Sequence, residues 1–167
     1  EVTNSQSMQS STLTEYVNVS IEPYGEWLDQ NSGFADASRG ITHISIVDPN
    51  TVWATAYDGS GGTATVQEFT KTVDGGITWT PGTIDVQNTG LGISMISALD
   101  ANTAWLVAYP NAAGQTGGIW ITSNGGTSWT RQNSATYNAA ASFTNVVHFW
   151  DANVGFCQGD PINGDFE

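Results

Sequence analysis

The side chains able to do acid–base, nucleophilic or metal chemistry are few in kind. The 167 residues include sixteen Asp and Glu, two His, one Cys and three basic residues, Arg39, Lys71 and Arg131. Glycoside hydrolysis would need two carboxyl groups facing each other across a cleft. Asp29, Asp58, Asp85 and Asp160 are the first candidates, yet no spacing singles out a pair. His43 and His148 stand apart, in neither a metal-ligating nor a dyad spacing. Asp29-Gln30-Asn31-Ser32-Gly33 has the odd-position oxygens of a calcium loop without the rest of one, and reads as an ordinary Asx turn. The sequence holds no Ser-His-Asp order, phosphate loop or nucleotide fingerprint. No catalytic residue, metal or cofactor is expected.

Charge narrows the partners. The formal net charge is −13. Nucleic-acid binding relies on several Lys or Arg neutralising phosphates, and attraction to anionic lipid needs the same side chains. Neither partner is expected. No run of about 18 apolar residues is present, so no membrane insertion is expected. Cys157 is the single cysteine, which rules out a disulfide within the chain. Residues 1–11 are polar, without the basic and apolar regions of a signal peptide, and suit a mature N-terminus left after cleavage.

Charged residues make up 11% of the chain, against roughly 25% in soluble domains. Gly, Ser, Thr, Asn and Gln take their place, the residues of turns and solvated strand faces. The positioning elements are therefore short strands, and they repeat. Thr72-Val73-Asp74-Gly75-Gly76-Ile77-Thr78-Trp79 returns as Thr122-Ser123-Asn124-Gly125-Gly126-Thr127-Ser128-Trp129. In phase with it, Asp48-Pro49-Asn50-Thr51-Val52-Trp53 returns as Asp100-Ala101-Asn102-Thr103-Ala104-Trp105 and as Asp151-Ala152-Asn153-Val154-Gly155-Phe156. Two interleaved series at one period of about 50 residues mark a repeat architecture.

Each element has a physical task. The paired glycines supply positive φ for a tight turn. Asp74 or Asn124 accepts hydrogen bonds from the turn's own amides, and the Trp opens the next strand as a core anchor. Asp-x-Asn-Thr is a second turn, leading into strand-like runs at Val52 and Trp105. The runs ahead of it, 41–47, 93–99 and 144–150, are apolar at both parities, which predicts strands buried on both faces. Strand, Asp-x-Asn turn, strand, variable loop (58–64 and 111–117), strand, box turn and strand make one four-stranded unit of propeller-blade size.

The two boxes resemble the Asp box, S/T-x-D-x-G-x-T/S-W, of bacterial sialidases, sortilin-type receptors, certain xyloglucanases and photosystem assembly-factor propellers. The first copy fits every position, and the second carries Asn124 for Asp. The register, with Asp160-Pro161 in the third repeat, is most similar to secreted multi-blade proteins of Bacteroidetes-like bacteria, many of which end in a type IX sorting domain. The resemblance implies an all-β, partial β-propeller outside the cell, with the box at the blade periphery.

The expected organisation is a half blade at 12–34, whole blades at 41–84 and 93–132, and a half blade at 143–167. Within 12–34, Pro23-Tyr24-Gly25-Glu26-Trp27 is a degenerate box. Ring closure takes about 4–8 blades, so a third box is expected about ten residues beyond Glu167. Thr72, Asp74, Gly75, Gly76, Thr78 and Trp79, with Thr122, Asn124, Gly125, Gly126, Ser128 and Trp129, are expected to be structural. His43, in the slot of Met95 and Val146, reads as a packed strand residue. His148 shares a slot with Ser45 and Ser97. Cys157, in the slot of Ala54 and Leu106, reads as an inert buried thiol. Function is expected to be binding or structural, through blade-end loops, with a protein or carbohydrate ligand and the remaining blades of the propeller as partners. Tyr57 and Tyr109 are placed to stack on a sugar ring, whereas Trp120 suits the core. The alternative is a sialidase-like or xyloglucanase-like hydrolase with part of its catalytic set outside these residues. A sialidase would also need an arginine triad, and Arg39 and Arg131 fall in no such motif.

Overall fold

The structure, a computed structural model, describes residues 28–139 and 141–167. The polar segment 1–11, the half-blade strand and degenerate box at 12–27, and the Asn18-Val19-Ser20 sequon lie outside the described residues. Ten strands run β1 Arg39–Ile46, β2 Val52–Asp58, β3 Glu68–Thr72, β4 Thr80–Thr83, β5 Leu91–Ala98, β6 Ala104–Pro110, β7 Gly118–Thr122, β8 Thr130–Arg131, β9 Thr144–Phe149 and β10 Gly155–Gly159. They form two four-stranded antiparallel sheets in sequence order, β1-β2-β3-β4 and β5-β6-β7-β8, and a β9-β10 pair. These are two complete blades and the inner strand pair of a third, a partial β-propeller.

The blades are held together by apolar side chains contributed from both sides of each junction. Trp53, Phe69, Ile84 and Val86 of the first blade share one buried cluster with Leu91, Ile93, Ile96, Leu106, Trp120 and Trp129 of the second. Trp105, Val107 and Ile119 share another with Tyr137 and Val147, and Phe149 packs against it. The Trp105 and Phe149 rings stack face to face at 3.8 Å. Burying aromatic and branched side chains between sheets is the main source of stability for such stacked repeats.

Two expectations need correction. Burial on both faces holds for 93–99 but not for 41–47 or 144–150, where Ile44 is 52%, Ile46 73% and Trp150 63% exposed. The cause is location, since β5 lies between β1 and β9, whereas β1 and β9 each have a described blade on one flank only. The mixed parity also has a second cause. The register shifts between Ile93 and Met95, as it does between Ile41 and His43, so Ile93 and Ile96 turn into the same cluster. A bulge inserts one residue into a strand and reverses its alternation. The second correction concerns the box Trp. β4 and β8 begin at Thr80 and Thr130, one residue later. Trp129 is buried, but Trp79 is only half-buried and donates its indole N–H to Gln30 Oε1 at 2.8 Å.

Inner strands are also stitched through their edges. Ala98 N–H donates to Ser45 Oγ at 2.9 Å, and Phe149 N–H donates to Ser97 Oγ at 3.0 Å. Two serines in one repeat slot thus satisfy amides that the neighbouring edge strand would otherwise present unpaired.

Candidate functional site

At one rim, both recurring turns lock together. In the first blade Thr72 Oγ1 accepts from Gly76 N–H at 2.9 Å and donates to Asp74 Oδ1 at 2.8 Å. Asp74 Oδ1 accepts from Thr78 N–H at 2.9 Å, and Asp74 Oδ2 accepts from the Thr78 hydroxyl at 2.5 Å. The second blade repeats the frame: Gly126 N–H donates to Thr122 Oγ1 at 3.0 Å, and Ser128 N–H donates to Asn124 Oδ1 at 3.0 Å. There the Asn124 amide donates to Ser128 Oγ at 2.8 Å, so an amide replaces the carboxylate without loss of a bond.

The Asp-x-Asn turns close just as locally. Asp48, Asp100 and Asp151 each accept through Oδ1 from the amides two and three residues on. Each box docks on the turn beside it, since Gly75 N–H donates to Asn50 O at 3.0 Å and Gly125 N–H to Asn102 O at 2.9 Å. The blades join at this rim too. Trp53 Nε1–H donates to Asp100 O at 2.9 Å, and Lys71 Nζ donates to Ala101 O at 2.7 Å and to Gly125 O at 3.1 Å. The in-phase recurrence of the two motifs has this physical basis: each supplies what the other binds.

Asp74 is held below the usual carboxylate range by the Thr78 hydroxyl, then by the Thr78 amide and the Thr72 hydroxyl. A carboxyl lowered in the folded state adds stability above its ordinary value, and that stability is lost as pH falls through the lowered one. Asp74→Asn should therefore change stability little at neutral pH, where Asn124 shows the amide is accommodated. It should flatten the stability loss below about pH 4. Urea midpoints from pH 7 to about pH 2.5 check this. A variant with the same acid slope as the parent would remove Asp74 from the acid-labile set.

All three basic side chains are engaged in the frame. Arg39 binds Glu68 through two nitrogens at 3.1 and 3.2 Å and pairs with Asp36 at 3.1 Å. Lys71 Nζ also lies 4.4 Å from the centre of the Trp53 ring. Arg131 donates to Gly117 O at 2.9 Å and sits 5.7 Å from the Trp120 ring.

The candidate acids are scattered over separate turns. Asp58 accepts from Ser60 N–H, Asp85 from Gln87 N–H, and Asp160 from the Asn145 amide. Beside Asp29, Asn31 Oδ1 accepts from Gly33 N–H at 2.9 Å, which closes an Asx turn. No group of three or more His, Cys, Asp or Glu suited to a metal occurs among the described residues. His43 is half-buried with Nδ1 3.3 Å from the Ile96 N–H, and burial lowers its pKa. His148 is exposed, edge-on to Trp150 at 5.0 Å. Cys157 is half-buried beside Tyr137, whose phenol is pushed up by burial and by that thiol.

At the opposite rim the variable loops 58–64 and 111–117 flank a groove of about 420 Å³ between the two blades. Tyr57 and Asp58 line it on one side, Tyr109 and Asn111 on the other, with Thr42 and Thr65 between. Thr65 Oγ1 donates to Thr89 O at 2.6 Å, and Gln67 Nε2 donates to Asn88 O at 2.7 Å and to Leu91 O at 2.8 Å. These bonds tie the segment that lines the groove ahead of β3 to the linker between blades and to the first residue of β5. Tyr57 pairs with Gly40 across β1 and β2, and Tyr109 with Gly92 across β5 and β6. A Cβ on Gly92 would come within 2.3 Å of the Tyr109 ring, so each Tyr roofs a glycine of the neighbouring strand. Tyr57 still shows 48% of its surface to solvent, whereas Trp120 is buried at 5%. Thr42 sits at the β1 bulge, and bulges re-aim side chains beside functional sites. Sequence reasoning found the tyrosines and the loops but missed the bulge and the roofed glycines. Gly40 and Gly92, each seventeen residues before its Tyr, were the available signal.

A scan of family models and a search of curated proteins return no match to this sequence. Among solved structures, YCF48 bound to a D1 peptide is similar with a TM-score of 0.51 and 19% identity, over 73% of this chain and 33% of that one. YCF48 from Cyanidioschyzon merolae is similar with a TM-score of 0.49 and 21% identity, over 73% and 34%. The chain therefore spans about a third of the length of these solved proteins. At such identity the likeness concerns fold alone. Together with the two sequential four-stranded sheets, it establishes these residues as part of a β-propeller.

Proposed function

We propose that this chain is part of a protein-binding β-propeller, not an enzyme, and that it recognises an extended segment of its partner in the Tyr57–Tyr109 groove. The observation that carries the reading is the convergence of both variable loops on one groove, whose lining segment ahead of β3 is tied down by side-chain bonds. Scaffolds of rigid strands usually carry recognition on such loops. The YCF48 structure with its D1 peptide supplies a precedent for a propeller that takes a peptide. A carbohydrate reading is weaker because Tyr109 lies against Gly92 and, at 5.2 Å, Phe143, which leaves Tyr57 alone to stack on a sugar.

We place the protein outside the cell, as a secreted or surface protein, on its resemblance to secreted Asp-box propellers and its net charge of −13. Protease treatment of intact source cells should remove it, and full protection would contradict that placement. The binding reading is tested by nuclear magnetic resonance titration with linear peptides and, separately, with oligosaccharides. Peptides should perturb amides in 58–64 and 111–117 with no glycoside turned over. Perturbation by sugars alone, or any hydrolysis, would overturn it.

A further inference from the structure

Tyr57 and Tyr109 hold one repeat slot, each four residues beyond the equivalent Trp53 or Trp105. Their first contact is the same. A Cβ at Gly40 would run into the Tyr57 ring, and one at Gly92 into the Tyr109 ring. Their second contact differs. Tyr109 also meets Phe143, at the start of the third blade, with ring centroids 5.2 Å apart and planes tilted by 36°. Phe143 stands one residue before the Thr144–Gly159 pair, as Gly92 stands one before the Ile93–Ala108 pair. Ala108 and Gly159 each lie three residues beyond the equivalent Trp105 and Phe156. The second blade therefore has Gly92 in the place where the third has Phe143, and glycine brings no ring to Tyr57. The groove lies where that ring is missing, for Tyr57 and Gly92 both line it. Ala56, Val66 and Ile93 line it as well and are buried, so its lining is partly apolar. Tyr57 is left 48% exposed, whereas Tyr109 is half-buried.

Building on the protein-binding reading, we propose that the groove takes its peptide through an aromatic side chain, phenylalanine or tyrosine, laid against the Tyr57 ring as Phe143 is laid against Tyr109. The third blade thus carries within the chain the contact that the partner supplies to the first. Ring pairs at such separations gain from their quadrupoles beyond the area they bury, a gain that an aliphatic side chain of similar size forgoes. A ring seated in a pocket between rigid elements is also the usual anchor of a binding interface.

The test uses heptapeptides of Gly, Ser and Thr with one central Phe, Tyr, Leu or Gln, titrated into the isotope-labelled full chain. The Phe and Tyr peptides should bind with dissociation constants on the order of millimolar, the Leu peptide about two- to tenfold more weakly, and the Gln peptide more weakly still. The Phe peptide should also impose ring-current shifts on the Gly92 and Ile93 amides that the Leu peptide does not. Tyr57→Leu should bring the Phe and Leu peptides to about equal affinity. That ratio is independent of the fraction of protein folded. Equal affinity for the Phe and Leu peptides in the parent, or a Phe preference that survives Tyr57→Leu, would overturn the aromatic inference while leaving peptide binding in place. No binding by any peptide, or binding away from the groove, would overturn both.

Discussion

Trp53→Ala should cost about 3–5 kcal/mol of stability, the range for deleting a fully buried aromatic. Trp53 is 0% exposed, stacks on Phe69 at 5.2 Å and meets Trp129 of the next blade edge-on at 6.4 Å. Its loss leaves a cavity between blades and unpairs Asp100 O, the acceptor of its indole N–H. It also removes the ring under Lys71. Ile77→Ala is the control, since Ile77 is 85% exposed on the box turn and should change stability by less than about 0.5 kcal/mol. Urea unfolding of the two variants beside the parent checks the prediction. Equal midpoints would mean that Trp53 is not an inter-blade anchor.

Gly126→Val should cost about as much, for a different reason. Gly126 has φ of +89°, where a β-branched residue is strained by about 1–3 kcal/mol. A Cβ there would also lie 2.2 Å from the Phe69 ring of the preceding blade, and such overpacking adds about 1–3 kcal/mol. Gly76→Val, at φ +86°, has the Gln30 side chain as its nearest neighbour, a group that can move aside at the cost of its bond from Trp79, and should cost less. Gly61→Val, at φ +81° with open space around it, should cost least, about the strain alone. For a chain of this size each kcal/mol lowers the melting temperature by about 2–4 °C, so thermal scans resolve the order. Equal shifts would contradict the assignment of Gly126 to a blade junction.

The blade plan was legible because each recurring motif carries its own local physics. Asp48, Asp100 and Asp151 all cap their own turns, and Thr72 and Thr122 close theirs. Contacts within a few residues leave a readable pattern. What the sequence withheld lies between blades. No spacing announces that Lys71 reaches the carbonyls of Ala101 and Gly125, or that Trp129 meets Phe69 sixty residues earlier in the chain. The mixed parity of 93–99 was visible, but a bulge and burial on two faces give the same string, and only the register separates them. The groove was half legible. Tyr57, Tyr109 and the loops stood out by type, while the tie of Thr65 and Gln67 to the linker between blades is tertiary.

The recurring turns pack one blade onto the next, through Gly126 against Phe69. A thermodynamic cycle over Phe69→Leu and Gly126→Ala tests this directly. Each change alone should destabilise, but the shorter Leu relieves the contact that the new Cβ makes while leaving its backbone strain. The penalty of Gly126→Ala should therefore fall by about 0.5–3 kcal/mol in the Phe69→Leu background. Strict additivity of the two changes would mean that Gly126 and Phe69 do not touch, and would contradict packing of the box turn on the preceding blade through this pair.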